Sequence, residues 1–285
     1  MTRLNQLIRA LESGSKAFAT FAPAEIEAAL WVSSARYDGV IYEMEHRPWD
    51  AVRLRDTLQY MVDAPRAIVT GLPSPAVTPI VRIPANGGEM NQWLAKQALD
   101  MGAFGVVWPH ISTAEQAYNA VSACRYPRPR SATAYQPAGL RGDSPATAAR
   151  IWGIGTDEYY RKADVWPLAP EGEILVVLMI EDTLAIDNLD EILSKVPGIG
   201  AVMIGEGDLS QELGFPRQYE HPEVVRAMAE IVRICKAHGV PVAHPHVGQK
   251  NLASVIDAGY DILVAGPVRS FAALEKGREL TRHTG

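Results

Sequence analysis

Eight short apolar runs recur along the chain, and each is followed by a stretch with helical spacing. They are "AFATF" (17–21), "GVIYEME" (39–45), "PIVRI" (79–83), "FGVVW" (104–108), "ILVVLMIE" (174–181), "AVMIG" (201–205), "VPVAH" (240–244) and "DILVAG" (261–266). The runs are continuous rather than alternating, as expected of parallel strands covered on both faces by helices. Between and after them the spacing predicts helices over 49–62, 89–101, 112–124, 182–195, 221–238, 247–258 and 267–281, and an amphipathic one at the N-terminus around Leu4, Leu7, Ile8 and Leu11. Eight strand–helix units predict an α/β fold of the (β/α)8 TIM-barrel type, a single domain over 1–285. A doubly wound sheet is the alternative, but it needs no eighth unit and usually shows a glycine fingerprint after its first strand.

Residues 125–172 break the rhythm, being rich in Pro, Gly, Arg and aromatics. Their aromatic content argues for order, so the stretch reads as an ordered insertion before the fifth strand, with short helices near 145–152 and 156–163. A long excursion of this kind is expected to touch a neighbouring subunit or the active-site mouth.

Length and composition narrow the function without naming it. The 285 residues are 47% hydrophobic, enough for a substantial core. The formal net charge of −6, with scattered Lys and Arg, argues against a nucleic-acid or anionic-membrane surface. Cys124 and Cys235 stand far apart in no CxxC arrangement, and both read as small apolar helix residues. No signal-peptide or membrane-spanning run is present, so a cytoplasmic protein is the expectation.

The strands finish on polar residues. The second runs into Glu43, Glu45 and His46; the third carries Arg82; the fourth leads to Trp108, Pro109 and His110. The fifth ends in Glu181 and Asp182, the sixth in Gly205, Glu206, Gly207 and Asp208, and the seventh in His244 and His246. In a parallel barrel these ends share one rim, where catalytic groups sit. Singly, each has a plainer role: a rim ion pair for Arg82, a first-turn carboxylate for Glu181, an N-cap for Asp208.

Together they suit a specific chemistry. Glu181 and Asp208 are too few to cage an ion, but they fit a divalent metal that keeps open positions for substrate oxygens, as Mg²⁺ or Mn²⁺ does. Gly205 and Gly207 allow a substrate carboxylate close to backbone N–H groups at a helix start. Arg82 is placed to stabilise a developing enolate, and His46 to move a proton near neutral pH.

"YEMEHRP", "VRIP", "KQALDMGAFGVVWP", "VLMIED" and "GIGAVMIGEGDLS" resemble, in order and spacing, the HpcH/HpaI family of metal-dependent (class II) pyruvate aldolases of the phosphoenolpyruvate/pyruvate barrel superfamily. The resemblance spans roughly residues 15 to 280 apart from the insertion. It implies reversible cleavage of a 4-hydroxy-2-oxo acid to pyruvate, or a close 2-oxo acid, and an aldehyde, with Mg, Mn or Co as cofactor. It implies His46 as catalytic base, Arg82 as enolate stabiliser, and Glu181 and Asp208 as metal ligands. Gly205, Glu206 and Gly207 would contact the pyruvate moiety. Asp100, by position a plain helix-end residue, matches the family aspartate that hydrogen-bonds the histidine.

The pattern departs from the family at several points. Glu43 replaces an Asp, Met44 a Gly, Glu206 a Pro, and Met179 the glutamine lining the substrate site; "ANGGE" (85–89) is added. His110, His244 and His246 have no family role; the last two read as helix-capping loop residues or as contacts to the aldehyde portion. Trp49, Trp93, Trp108, Trp152 and Trp166 read as core or interface. The resemblance also implies a homo-oligomer, a hexamer or trimer of dimers, with the C-terminal helix (267–285) either exchanged between subunits or capping its own barrel. Two rival readings are a CoA-thioester lyase of the citrate-lyase β/malyl-CoA type, using Arg125, Arg128 and Arg130 for the CoA phosphates, and a non-catalytic barrel scaffold.

Overall fold

The structure, a computed structural model, describes residues 3–63, 68–69, 71, 75–84, 87–266 and 270–282. Its sheet is a closed parallel barrel. Strand β1 (Ala17–Pro23) pairs with β2 (Gly39–Glu43), β2 with β3 (Thr78–Arg82), and β3 with β4 (Gly105–Trp108). The two-residue β5 (Val165–Trp166) flanks β6 (Ile174–Ile180), which pairs directly with β4. Next come β7 (Ala201–Ile204), β8 (Val242–Val247) and β9 (Ile262–Ala265), and β9 returns to β1. All eight apolar runs therefore become barrel strands.

Alternation within each run explains why the runs are continuous. Side chains such as Phe21, Ile41, Ile80, Val107, Val177, Met179, Met203 and Val264 fill the barrel interior. Their neighbours, such as Val40, Tyr42, Val81, Val106, Leu178 and Val202, pack against the helices. Leu7 and Ile8 of the N-terminal helix Gln6–Glu12 join the interior set and plug the barrel at the N-terminal ends of the strands.

The helices begin at recognisable signals. Asp50 accepts from Arg53 N at the start of Ala51–Tyr60, Asp182 does the same for Thr183–Lys195, and Thr113 with Gln116 forms a capping box for Ala114–Ala123. Cys124 and Cys235 are buried and unpaired, and burial pushes both thiols up to about 12. No helix among the described residues is long and apolar enough to cross a membrane.

The insertion forms its two expected helices, Ala146–Trp152 and Thr156–Lys162, and then β5. It packs at the rim opposite the strand C-termini, so the expectation that it reaches the mouth is not met within the chain. Arg125, fully buried, donates to Asp164 Oδ1 (2.6 Å) and Oδ2 (3.0 Å) and to the carbonyls of Ala134 and Pro137 (both 2.7 Å). Arg128 joins the same carboxylate at 2.9 Å. Two of the three arginines offered for a CoA groove are thus spent on an internal ion pair, which removes the support for that rival. Trp152 stacks on Phe104 at 4.3 Å and donates to Gly102 O at 3.0 Å.

The C-terminal helix Ala272–Arg282 lies on its own barrel: Gly277 sits against the Phe18 ring, and Arg278 donates to Arg36 O at 2.6 Å. Residues 267–269 and 283–285 of the expected helical segment lie outside the described residues, as do Ala85 and Asn86 of "ANGGE".

Arg125→Met should destabilise the fold by about 3–5 kcal/mol, because it strands the buried Asp164 carboxylate. The midpoint of urea unfolding reads this loss, and turnover per folded molecule should be unchanged.

Candidate active site

The C-terminal ends of the strands open into a cavity of about 510 Å³ that brings together Glu43, His46, Arg82, Met179, Glu181, Gly205, Glu206, Gly207 and Asp208. One side is built by strand register. Glu43 and Arg82 are direct partners across β2 and β3, and Arg82 Nε donates to Glu43 Oε2 at 2.8 Å, with a second bond from Nη2 to the same oxygen. The other oxygen of Glu43 accepts from the backbone N–H groups of Glu45 (2.8 Å) and His46 (3.1 Å). A single carboxylate thus orients the arginine and shapes the turn that carries the histidine. Arg82 also stands 3.1 Å from Glu45 Oε2, 3.8 Å from the sulfur of Met179, and over the Phe21 ring. Met179 leaves the guanidinium a soft contact where an amide would compete for it. Met44 points away, into the core behind the strand.

His46 is exposed on the rim, with Nε2 3.5 Å from Glu45 Oε2. Asp100 is not its partner. The helix Gln92–Asp100 leads from β3 back to β4, so its last residue lies at the opposite end of the barrel. There the Asp100 carboxylate accepts from Arg141 Nε (3.1 Å) and Nη2 (2.9 Å). Within one chain the expected Asp100–His46 hydrogen bond is therefore absent.

The other side is built around Glu181, whose side chain is only 3% exposed. Its Oε1 accepts from the His110 backbone N–H at 2.8 Å. Gly205 follows β7 in register with Glu181 after β6, and a Cβ there would lie 2.1 Å from Glu181 Oε2. Glycine at 205 is thus a steric requirement of the carboxylate beside it. Burial pushes the Glu181 carboxyl up to about 7; the His110 ring and N–H oppose this, while Glu45 and Asp208 add to it. Asp208 is not an N-cap but lies inside the first turn of Glu206–Glu212, whose N-cap is Gly205.

Glu181, Asp208 and His110 present ligating atoms all within 4.8 Å of one another. This donor set fits a divalent cation: the buried Glu181 carboxylate has two further acids beside it, Glu45 and the exposed Asp208, and Arg82 is already engaged by Glu43 and Glu45. His110 was visible in the sequence only as a polar residue after a strand. What brings its ring to Glu181 is the turn after β4, where His110 adopts a left-handed φ of 49°.

Glu206 lies on the wall shared by this cavity and a second cleft beside it. It is buried, its carboxylate paired with His246 Nδ1 at 2.5 Å and 3.8 Å from His244 Nε2. Both histidines lie on β8, not in a capping loop, and the ladder to β9 shifts register between His244 and Val247. This trio borders a larger cleft of about 980 Å³ between the helices Pro222–Ala237 and Leu252–Asp257, which contains none of Arg82, Glu181 or Asp208. Among the described residues no tryptophan lines the active-site cavity.

Residues 21–266 match the family described as HpcH/HpaI aldolase/citrate lyase. The 2-keto-3-deoxy-L-rhamnonate aldolase of Klebsiella pneumoniae is 32% identical over 245 residues, covering 80% of this chain and 79% of that enzyme. The enzyme of the same name from Salmonella agona is 35% identical over 246 residues, with coverage of 80% and 79%. A crystal structure of an HpcH/HpaI aldolase/citrate lyase family protein from Burkholderia cenocepacia superposes with a TM-score of 0.75 at 26% identity, covering 98% of this chain and 99% of that one. With the barrel and its rim of acid, arginine and histidine in place, the chain belongs to the HpcH/HpaI aldolase/citrate lyase family and is a carbon–carbon lyase.

Proposed function

We propose that the cavity cleaves a 2-keto-3-deoxy sugar acid, a 4-hydroxy-2-oxo acid of the kind the curated relatives are named for, and that His46, Arg82, Glu181 and Asp208 do the work. The reaction is reversible aldol cleavage to pyruvate and an aldehyde. The observation that carries this reading is the meeting of Arg82, Glu181 and Asp208, from three different strand ends, in one cavity about 510 Å³ in size.

The family uses a divalent metal ion, and here Glu181 and Asp208 would hold it, with Mg, Mn and Co as the candidates. When bound it supplies Lewis acidity and cancels charge that builds up on substrate oxygens. The remaining work falls to the chain. The N–H groups at the start of Glu206–Glu212, with Gly205 and Gly207 offering no side chain, receive the substrate carboxylate. Arg82, fixed by Glu43, faces the oxygen at C2, where negative charge develops as the C3–C4 bond breaks. His46 accepts the proton of the C4 hydroxyl; the electrons of the C3–C4 bond pass into the enolate, and the aldehyde departs. Returning that proton to C3 yields pyruvate. Glu45, rather than Asp100, is the carboxylate beside His46 within the chain. Assembly into a homo-oligomer, as a hexamer or trimer of dimers, belongs to the same reading and is supported by large apolar side chains left exposed, such as Leu30, Val52 and Trp93.

Pyruvate incubated with the metal-loaded protein in deuterated water should acquire deuterium at C3. A metal-loaded protein that leaves pyruvate unlabelled and cleaves no 2-keto-3-deoxy sugar acid would sink the proposal and favour a scaffold. His46→Ala and Arg82→Ala should each lower turnover by about 10²–10⁴-fold with the thermal midpoint preserved. Gly205→Ala should cost about 10²-fold through displacement of Glu181, readable as weaker metal binding by calorimetry.

A further inference from the structure

We propose that His110 is a third protein ligand of the divalent ion, and that the site therefore prefers a borderline transition ion such as Co²⁺ to Mg²⁺. This rests on the reading above, in which Glu181 and Asp208 hold that ion.

The turn that carries His110 is pinned on both sides. Its own N–H donates to Glu181 Oε1 at 2.8 Å, Ile111 N donates to Met179 O at 3.1 Å, and Pro109 O accepts from Gly87 N at 3.0 Å. A histidine at a φ of 49° sits in the left-handed region, which is less favourable than ordinary backbone for any residue with a side chain. That strain is sustained by the turn, and its outcome is an imidazole aimed at the carboxylate pair.

The ring then makes no hydrogen bond among the described residues. Nδ1 stands 4.0 Å from Glu181 Oε1, too far for a hydrogen bond. The spacing does suit two donors on one ion: ligands about 2.0–2.2 Å from a metal stand roughly 3–4.4 Å from each other, depending on the angle between them. Asp208 completes the set, with all three donor atoms inside 4.8 Å. Glu181 Oε1 accepts the His110 N–H and keeps a further lone pair for an ion, so one residue supplies both the orientation of the carboxylate and a neighbouring donor.

The donor set has a chemical consequence. Two carboxylates alone favour hard ions, and Mg²⁺ takes oxygen ligands almost exclusively. One imidazole nitrogen adds affinity along the series toward Co²⁺, Ni²⁺ and Zn²⁺ and adds little for Mg²⁺. Three protein donors still leave positions for the two oxygens of a 2-oxo acid.

The test uses the full-length protein stripped of metal and reloaded with a single ion. Pulsed electron paramagnetic resonance of the Mn²⁺ form should show a directly coordinated nitrogen, lost in both His110→Asn and His110→Gly, residues that tolerate the left-handed backbone. Calorimetric titration should show Co²⁺ binding weakened roughly 10–100-fold in these variants, with Mg²⁺ binding nearly unchanged. A wild-type spectrum without coordinated nitrogen, a nitrogen signal that survives both substitutions, or unaltered Co²⁺ affinity would overturn the assignment. Glu181→Gln separates this from the underlying reading. If it abolishes binding while the wild-type spectrum lacks nitrogen, only the His110 ligand falls; if ion binding ignores Glu181→Gln, the reading of the site falls as well.

Discussion

The mouth of this barrel is organised around one unfavourable placement, the burial of the Glu181 carboxylate beside Glu45 and Asp208. An ionised carboxylate out of water is costly unless donors or a counter-charge compensate. The chain supplies part of the compensation itself, through the His110 N–H and the nearby imidazole. It keeps the neighbouring position free of any side chain by using Gly205. What remains uncompensated is the local excess of negative charge, and a divalent cation is the species whose charge and ligand chemistry answer it. Catalysis and stability thus pull against each other here, as they commonly do at sites built for charge.

The opposite rim carries the stabilising burden. Arg125 with Asp164 braces the long insertion internally, and Arg141 with Asp100 and Trp152 on Phe104 tie it to the N-terminal ends of the strands. The helix Gln6–Glu12 closes the same end, and Glu173, wholly buried, accepts from Leu4 N and Asn5 N. These contacts are dense and far from the cavity. A rigid base lets the strand ends at the mouth hold charged groups in fixed register, which the role proposed for Arg82 requires. The Glu43–Arg82 pair is such a fixture, since both residues belong to paired strands and neither depends on a loop for its position.

Glu206, an acid where the family pattern has proline, stays at the mouth, where its motif puts it. Its pairing with His246 and the proximity of His244 answer the added charge. Asp100 makes the opposite point: a residue matched by motif lands at the far end of the cylinder because its helix runs antiparallel to the strands. A motif preserves order along the chain but does not fix the end of the barrel at which a residue arrives.

Several features followed from the sequence alone. Eight continuous apolar runs, each with a helical stretch after it, require parallel strands covered on both faces, and closure of eight such strands gathers Arg82, Glu181 and Asp208 on one rim. These are consequences of local periodicity, so they are legible without coordinates. Tertiary structure alone decided which side chains meet across the cylinder. The clamp of Glu43 on Arg82, the approach of His110 to Glu181, the place of His244 and His246 on a strand, and the docking of the insertion at the base all depend on strand register and on which rim a segment packs against. Register and rim are set by closure and packing of the whole barrel, and no window of the sequence contains that information.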